Sequence, residues 1–179
     1  MVRTPDFDVM VAGGGPVGLC IAFLAAERGL SVGLFESDAG LTRDLRASTF
    51  HPPTLDMLAR FGISDELVAR GLACPHWQIR RHPSGERAVF DLSVLAADTR
   101  YPFRLQCEQW KLSEALLARI ARQPGVTVRY GAGVSGFTQT EGGVTVQLDT
   151  AAGSEAVSTR ILVGADGARS AVRKELGLL

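Results

Sequence analysis

The sequence predicts an α/β fold. A parallel sheet is joined to a β-meander, and a smaller hairpin-bearing piece is inserted between two halves of the sheet domain. Three stretches carry this expectation. "VMVAGGGPVGLCIAFLAAERGLSVGLFE" (Val9–Glu36) sets a glycine cluster between an apolar run and a helical one. Residues 126–165 alternate β-branched runs with glycine turns. "ILVGADGARSAVRKELG" again reads as strand, Gly/Asp turn and helix.

Taken in order, Val9–Ala12 reads as a buried strand, Gly13–Gly18 as a tight turn, Leu19–Arg28 as a helix and Ser31–Glu36 as a second strand. This is a βαβ unit with Gly13, Gly15 and Gly18 in the G-x-G-x-x-G register of dinucleotide sites. Gly13 permits the sharp turn, Gly15 lets a pyrophosphate approach the backbone, and Gly18 lets the helix pack close to the strand. The helix start, with Pro16 and Val17, offers N–H groups and a partial positive charge to an anion. Pro16 there gives up no needed donor. Glu36, at the end of the second strand, is placed to accept hydrogen bonds from the ribose hydroxyls of an adenosine. Its charge disfavours a 2′-phosphate, which removes NADP from this slot and leaves NAD and FAD.

A polar loop with Arg43 and Arg46 follows. Pro53 and Thr54 open a helix with the apolar stripe Leu55, Leu58 and Phe61, stopped by Gly62, and Ser64 is read as the cap of the next helix. "HWQIRRHPSGERAVFDL" reads as a hairpin turning at "PSG". "CEQWKLSEALLARIARQPG" is an amphipathic helix with Leu112, Leu116 and Ile120 on one face, stopped by Pro124-Gly125. "VTVRY" is a strand. A three-stranded meander follows, with turns at Glu141-Gly142-Gly143 and Ala152-Gly153-Ser154, feeding a final buried strand "RILVGA". Asp166 then sits at a strand's C-terminal end, where open α/β sheets bind ligands. Asp166 or Ser170 is equally placed to cap the last helix.

The 179 residues carry 46% hydrophobic residues, and 19 Lys+Arg balance 19 Asp+Glu. That balance gives no electrostatic reason for a nucleic-acid or anionic-membrane partner, and no run is long and apolar enough to span a bilayer. Cys20, Cys74 and Cys107 are odd in number and far apart, which suggests neither disulfides nor a metal site and fits a reducing, cytoplasmic compartment. His51 precedes two prolines and reads as a loop-shaping residue. His76 and His82 read as hairpin surface, and Trp77 and Trp110 as core. No catalytic residue is assigned.

Four features together resemble the flavin-dependent aromatic hydroxylases, the class A monooxygenases of the p-hydroxybenzoate hydroxylase type. They are the glycine fingerprint ending in Glu36, an arginine in "LRASTFHPPTLDML", Gln106 in "RLQCEQWKLSEALL", and the Asp-Gly motif "GADGARSAVR". The resemblance implies FAD as cofactor and NAD(P)H as co-substrate, with reduced flavin and O₂ hydroxylating a phenolic ring. It implies that Glu36 holds the adenosine ribose, that Arg46 lies along the adenosine-side ribose and pyrophosphate, and that Gln106 reaches the ribityl side. Val134 would offer its backbone to the adenine, and Asp166 would serve FAD and NAD(P)H. The implied arrangement is an FAD-binding domain in two segments, 1–73 and 103–179, around a partial substrate-domain hairpin, 74–102. The family's later Gly-Asp flavin motif does not follow Asp166, so the chain is expected to be the N-terminal part of a longer enzyme. It is then expected not to hydroxylate alone, and to associate with itself or with a complementing C-terminal chain. Another FAD oxidoreductase of the superfamily, a reductase or halogenase, and a non-catalytic dinucleotide-binding module are the alternatives.

Overall fold

The structure, a computed structural model, describes residues 4–43 and 47–178. In chain order its elements are β1 (Phe7–Ala12), α1 (Pro16–Ala26), β2 (Val32–Glu36), β3 (Thr49–Phe50), α2 (Pro52–Ala59), α3 (Ile63–Arg70), β4 (Leu72–Cys74), β5 (His76–Arg80), β6 (Arg87–Asp91), β7 (Arg104–Gln106), α4 (Gln109–Ile120), β8 (Val126–Tyr130), β9 (Ala132–Thr140), β10 (Gly143–Thr150), β11 (Gly153–Gly164) and α5 (Ala171–Glu175). The chain divides into two compact units, residues 1–43 with 116–179, and residues 44–115.

The first unit is built on a six-stranded sheet of order β8-β2-β1-β11-β10-β9. Its β8, β2, β1 and β11 are parallel, with Leu34 opposite both Val11 and Val128, and Val11 opposite Val163. Strands β1 and β2 read as unbroken apolar runs because both faces are covered, as expected for central parallel strands. Leu19, Ala22, Phe23 and Ala26 of α1 are buried. A separate core gathers Met10, Phe35, Ala132, Val144, Val146 and Leu148, with Val134, Phe137 and Leu162 packed against it. The meander β9-β10-β11 is antiparallel and supplies most of that core. The β9–β10 register slips between Gln147 and Leu148, so that Ser135 bulges out of β9.

The second unit holds a small antiparallel sheet, β3-β7-β4, and the β5–β6 hairpin. Within it the Tyr101 hydroxyl donates to Asp65 at 3.0 Å, and Arg70 pairs with Glu114 at 2.9 Å. The β3-β7-β4 sheet has no counterpart in the sequence reading. Its strands are two or three residues long, too short to show a period of two.

Three expectations are corrected. Ser64 does not cap α3: Gly62, with φ of +69°, takes the cap position. Ser64 lies inside the helix, fully buried, and its hydroxyl donates to the Leu55 carbonyl. The final strand is neither separate nor buried. The third meander strand and "RILVGA" are one twelve-residue strand, β11, whose first half pairs with β10 and whose second half pairs with β1. Ile161 in its second half is 57% exposed. Trp77 is not core; it is half-buried on the hairpin, stacked on Phe90 at 4.2 Å.

Gly13 marks where the sheet and the fingerprint turn meet. Its φ is +106°, and a Cβ there would lie 2.4 Å from the Ala165 carbonyl oxygen. Ala165 N donates in turn to Ala12 O at 2.8 Å. Gly13→Ala is therefore expected to cost at least about 2 kcal/mol, from backbone strain and backbone–backbone overlap. The shift of the urea unfolding midpoint at unchanged slope measures this.

Candidate functional site

The site is assembled at the C-terminal ends of β1, β2 and β11. The chain leaves β1 through Gly13 and enters α1 at Pro16, with Gly15 as N-cap in extended conformation, φ −71° and ψ 176°. Gly15 has no side chain to cap the helix, the first turn has no acid, and the first intrahelical bond runs from Leu19 N to Gly15 O at 2.9 Å. The N–H groups before Leu19 therefore form an uncapped, partially positive helix end. A Cβ built on Gly15 meets nothing within 4 Å, so the space above this helix end is open. Gly18 differs. A Cβ there would lie 2.0 Å from the Gly13 carbonyl oxygen and 3.3 Å from Val11 Cγ1, so its absence brings helix and strand together. The Val17 side chain is 63% exposed, and at the first turn its backbone N–H is the part that can serve an anion.

Glu36 is held firmly at the end of β2. Its Oε2 accepts from Gly14 N at 2.6 Å, and its Oε1 accepts from Ser37 Oγ and from Asp38 N, each at 2.9 Å. Partial burial works to raise its pKa, but the hydrogen bonds from Asp38, Gly14 and Ser37 outweigh it and leave the carboxyl below its ordinary value. Glu36 is thus a fixed anion beside the glycine turn. Gly14, the middle glycine of the cluster, is a site residue that the G-x-G-x-x-G register passes over. It supplies the 2.6 Å donor, and a Cβ on it would stand 3.0 Å from the Glu36 Cβ. The signal was present in the sequence as three consecutive glycines where the register needs two.

Strand β9 begins beside this carboxylate. Gly131 N donates to Asp38 O at 2.8 Å, and a Cβ on Gly133 would lie 3.2 Å from the Ser37 Cβ. Val134 follows directly, its side chain packed into the meander core. Tyr130 is the partner of Glu36 across β2 and β8. Its hydroxyl is buried without a hydrogen-bond partner among the described residues. Burial, and then the Glu36 charge, push its pKa up.

Asp166 reaches the same place from β11, its Cα 2.9 Å from where a Gly13 Cβ would stand. Its Oδ2 accepts from Ala171 N at 2.6 Å and Val172 N at 3.2 Å, holding the start of α5. Ser170 Oγ also accepts, from Arg173 N at 2.9 Å, so both residues cap this helix. The Asp166 Oδ1 is buried and has no partner among the described residues. A buried carboxylate oxygen without a donor is costly, and it is suited to a hydroxyl brought by a ligand.

The first unit thus brings together Gly13, Gly15, Pro16, Val17, Gly18, Glu36, Val134 and Asp166. Gln106 lies in the second unit, exposed on β7. Its Nε2 donates to Ser48 Oγ at 2.6 Å, and its Oε1 accepts from Thr49 Oγ1 at 3.2 Å. Arg46 lies outside the described residues. Among the described residues no group of His, Cys, Asp or Glu could hold a metal, and no helix is long and apolar enough to cross a membrane.

Comparison with known proteins gives this geometry its context. The family described as "FAD binding domain" matches residues 6–179. The chain is 36% identical over 171 residues to para-nitrophenol 4-monooxygenase of Pseudomonas sp. (strain WBC-3), covering 95% of this chain and 42% of that protein. It is 36% identical over 178 residues to 6-methylpretetramide 4-monooxygenase of Streptomyces rimosus, covering 97% and 31%. Among solved structures, p-nitrophenol 4-monooxygenase from Pseudomonas putida DLL-E4 superposes with a TM-score of 0.89 at 36% identity, covering 95% of this chain and 43% of that one. Aklavinone-11 hydroxylase, solved with FAD and aklavinone, superposes at 0.82 with 31% identity, covering 98% and 35%. The chain therefore spans between about a third and two fifths of the length of these relatives.

The Glu36 geometry carries a pH dependence of stability. A carboxylate whose pKa is lowered by folding contributes stability above its unfolded value, near 4.5, and loses it as pH falls through the lower folded value. Glu36→Gln is expected to be less stable than wild type at pH 7, with the difference shrinking as pH drops below about 4.5. Urea unfolding of both proteins at pH 7 and pH 3.5 gives the comparison, and a gap that stays constant or widens in acid contradicts it.

Proposed function

This chain belongs to the FAD binding domain family, and we propose that it forms the dinucleotide-holding part of a class A flavoprotein monooxygenase whose whole chain hydroxylates an aromatic, phenolic substrate with NAD(P)H and O₂. The observation that carries the reading is the uncapped α1 terminus beside the open Gly15 backbone, with the fixed Glu36 carboxylate at the neighbouring strand end. A pyrophosphate suits the first and a ribose diol the second. The orphaned Asp166 Oδ1 supplies an acceptor for a further hydroxyl, and FAD is richer in hydroxyls than NAD because of its ribityl chain.

In this reading α1 neutralises pyrophosphate charge through its N–H groups, and Glu36 accepts from the adenosine ribose. The backbone beside Val134 meets the adenine. Asp166 serves the cofactor while its other oxygen holds α5. Arg46 is assigned a cation's part along the pyrophosphate, and Gln106, its amide hydrogen-bonded to Ser48 and Thr49, is assigned to the ribityl chain. Bound FAD supplies the redox chemistry, and the protein's part is binding, orientation and exclusion of water. The same chemistry fits a reducing, cytoplasmic setting. The relatives' names, which specify para-nitrophenol, 6-methylpretetramide and aklavinone, support an aromatic substrate.

Gly15 gives a clean test. A Cβ there meets no protein atom within 4 Å, and the extended backbone at this position accepts a β-branched residue. Gly15→Val is therefore expected to fold as wild type by circular dichroism and to take up no flavin at micromolar FAD. A variant that copurifies with stoichiometric flavin refutes the site. Glu36→Ala is expected to weaken FAD binding by about 1.5–3 kcal/mol in a flavin titration, the scale of a charge-assisted hydrogen bond. Unchanged affinity in a folded variant removes Glu36 from the ribose.

We further propose that the 179-residue chain by itself consumes O₂ with NADH or NADPH without hydroxylating phenols, because so much of its relatives' length has no counterpart in it. Mass spectrometry of the products decides, and a hydroxylated aromatic formed in proportion to oxygen used overturns this. Ile161, Leu176 and Leu178 expose apolar surface on β11 and after α5, and net charge is zero. Self-association near neutral pH, or association with a complementing chain, is the expected behaviour. A monomeric elution at all concentrations by light scattering with gel filtration counts against it.

A further inference from the structure

The Glu36 carboxylate is already partly engaged by its own chain, and that engagement limits what a ribose finds there. An ionised carboxylate accepts at about four positions, two on each oxygen. On Glu36 the Oε1 takes two donors, Ser37 Oγ and Asp38 N, each at 2.9 Å. The Oε2 takes one among the described residues, Gly14 N at 2.6 Å. One position is left, on Oε2, whereas a ribose brings two adjacent hydroxyl donors. Displacing Ser37 from Oε1 would exchange one hydrogen bond for another and leave the serine hydroxyl without its acceptor, so little would be gained.

The acceptor that completes the pair is Ser37 itself. A serine hydroxyl offers one donor and two acceptor positions. Its hydrogen goes to Glu36 Oε1, and no donor among the described residues reaches its oxygen. Ser37 is exposed, so a ligand can approach it. Donation to the carboxylate polarises the hydroxyl and makes its oxygen a better acceptor. The corner is also held in place. Asp38 accepts at its carbonyl from Gly131 N at 2.8 Å, and its side chain accepts from Thr42 Oγ1 at 3.2 Å. A Cβ on Gly133 would lie 3.2 Å from the Ser37 Cβ, so the glycine at the start of β9 leaves Ser37 its room.

We propose that Ser37 is a ribose-binding residue: Glu36 Oε2 accepts from one hydroxyl of the adenosine ribose and Ser37 Oγ accepts from the other, so the site selects a ribonucleotide with both hydroxyls present. This rests on the reading of the β1–α1–β2 end as an adenine dinucleotide site and deepens it by dividing the diol between two residues. The two open acceptors are neighbours, since Ser37 Oγ stands against the carboxylate, and so are the two hydroxyls of a vicinal diol. The contacts differ in strength, because one acceptor carries the charge and the other does not.

The test uses the full 179-residue chain without flavin, with ADP, 2′-deoxy-ADP and 3′-deoxy-ADP as probes and isothermal titration calorimetry as the measurement. Wild type is expected to bind ADP more tightly than either analogue, by about tenfold or more for the hydroxyl on Glu36 and about threefold to tenfold for the hydroxyl on Ser37. Ser37→Ala is expected to keep the wild-type circular dichroism and to bind ADP about threefold to tenfold more weakly. It is expected to bind one deoxy analogue as wild type does, because that analogue lacks the hydroxyl that Ser37 serves, and to bind the other more weakly. Which analogue behaves so identifies the hydroxyl. A serine that only steadied Glu36 would weaken all three probes by the same factor in Ser37→Ala, and that result overturns the proposal. Unchanged ADP affinity in the variant overturns it as well, as does a wild type indifferent to the loss of one hydroxyl or of both. Failure of wild type to bind ADP and FAD defeats the functional reading itself, whereas binding without coupling between Ser37 and a single hydroxyl defeats only the assignment of Ser37.

Discussion

Two missing methyl groups set the geometry on which the dinucleotide site depends. A Cβ on Gly18 would lie 2.0 Å from the Gly13 carbonyl oxygen, and one on Gly13 would lie 2.4 Å from the Ala165 carbonyl oxygen. Backbone therefore meets backbone at both places, joining the end of β1 to the start of α1 on one side and to the end of β11 on the other. Everything polar in the site hangs from this junction. Gly14 N can reach Glu36 only because the turn is that tight, and Asp166 stands beside the turn only because β11 runs next to β1. The glycines act less as flexible hinges than as places where atoms are absent so that others can touch.

Electrostatics then completes what packing begins. The Glu36 carboxylate is provided with donors from its own chain, which fixes its charge and its orientation before any ligand arrives. Asp166 is divided in use, one oxygen holding α5 and the other buried without a donor among the described residues. The Tyr130 hydroxyl, buried next to Glu36 and also without a partner among the described residues, adds a second such polar atom at this end of the sheet. Fully satisfied groups and unsatisfied ones occur side by side, the pattern expected where a scaffold is finished but an interaction with something else is not.

The parts legible in the sequence were those with a strong local cause. The βαβ unit could be read because apolar runs, glycines and an acid fall at fixed offsets, and the tight turn at Gly13, the close packing at Gly18 and the place of Glu36 at the end of β2 follow from that spacing. The helix carrying Leu112, Leu116 and Ile120 could be read from its period. Hairpin turns at Gly142-Gly143 and Gly153 could be read from glycine alone, and both Gly143 and Gly153 have positive φ. What escaped depends on tertiary contact. Ser64 looks like a cap in sequence, but Gly62 has the left-handed backbone that makes the cap and leaves the serine free to bond Leu55. The short strands β3, β4 and β7 exist only by pairing with one another. The exposure of Ile161 could not be read from an apolar run, because such a run records hydrophobicity and not what lies against it. Gly14 escaped because a motif written as G-x-G assigns its middle position no role.

Strand β11 has a consequence for how such a domain can vary over evolutionary time. Its first half is registered against β10 and its second half against β1, with Thr159 opposite both Val144 and Phe7. An inserted or deleted codon within it would reverse the inward and outward faces of whatever lies beyond, and would displace the Asp-Gly turn by a residue's length. The glycine turns at 142–143 and 153 are under no such constraint. Length changes among descendants of this domain should therefore gather at those hairpin tips, while β11 is inherited as an indivisible block and changes by substitution alone.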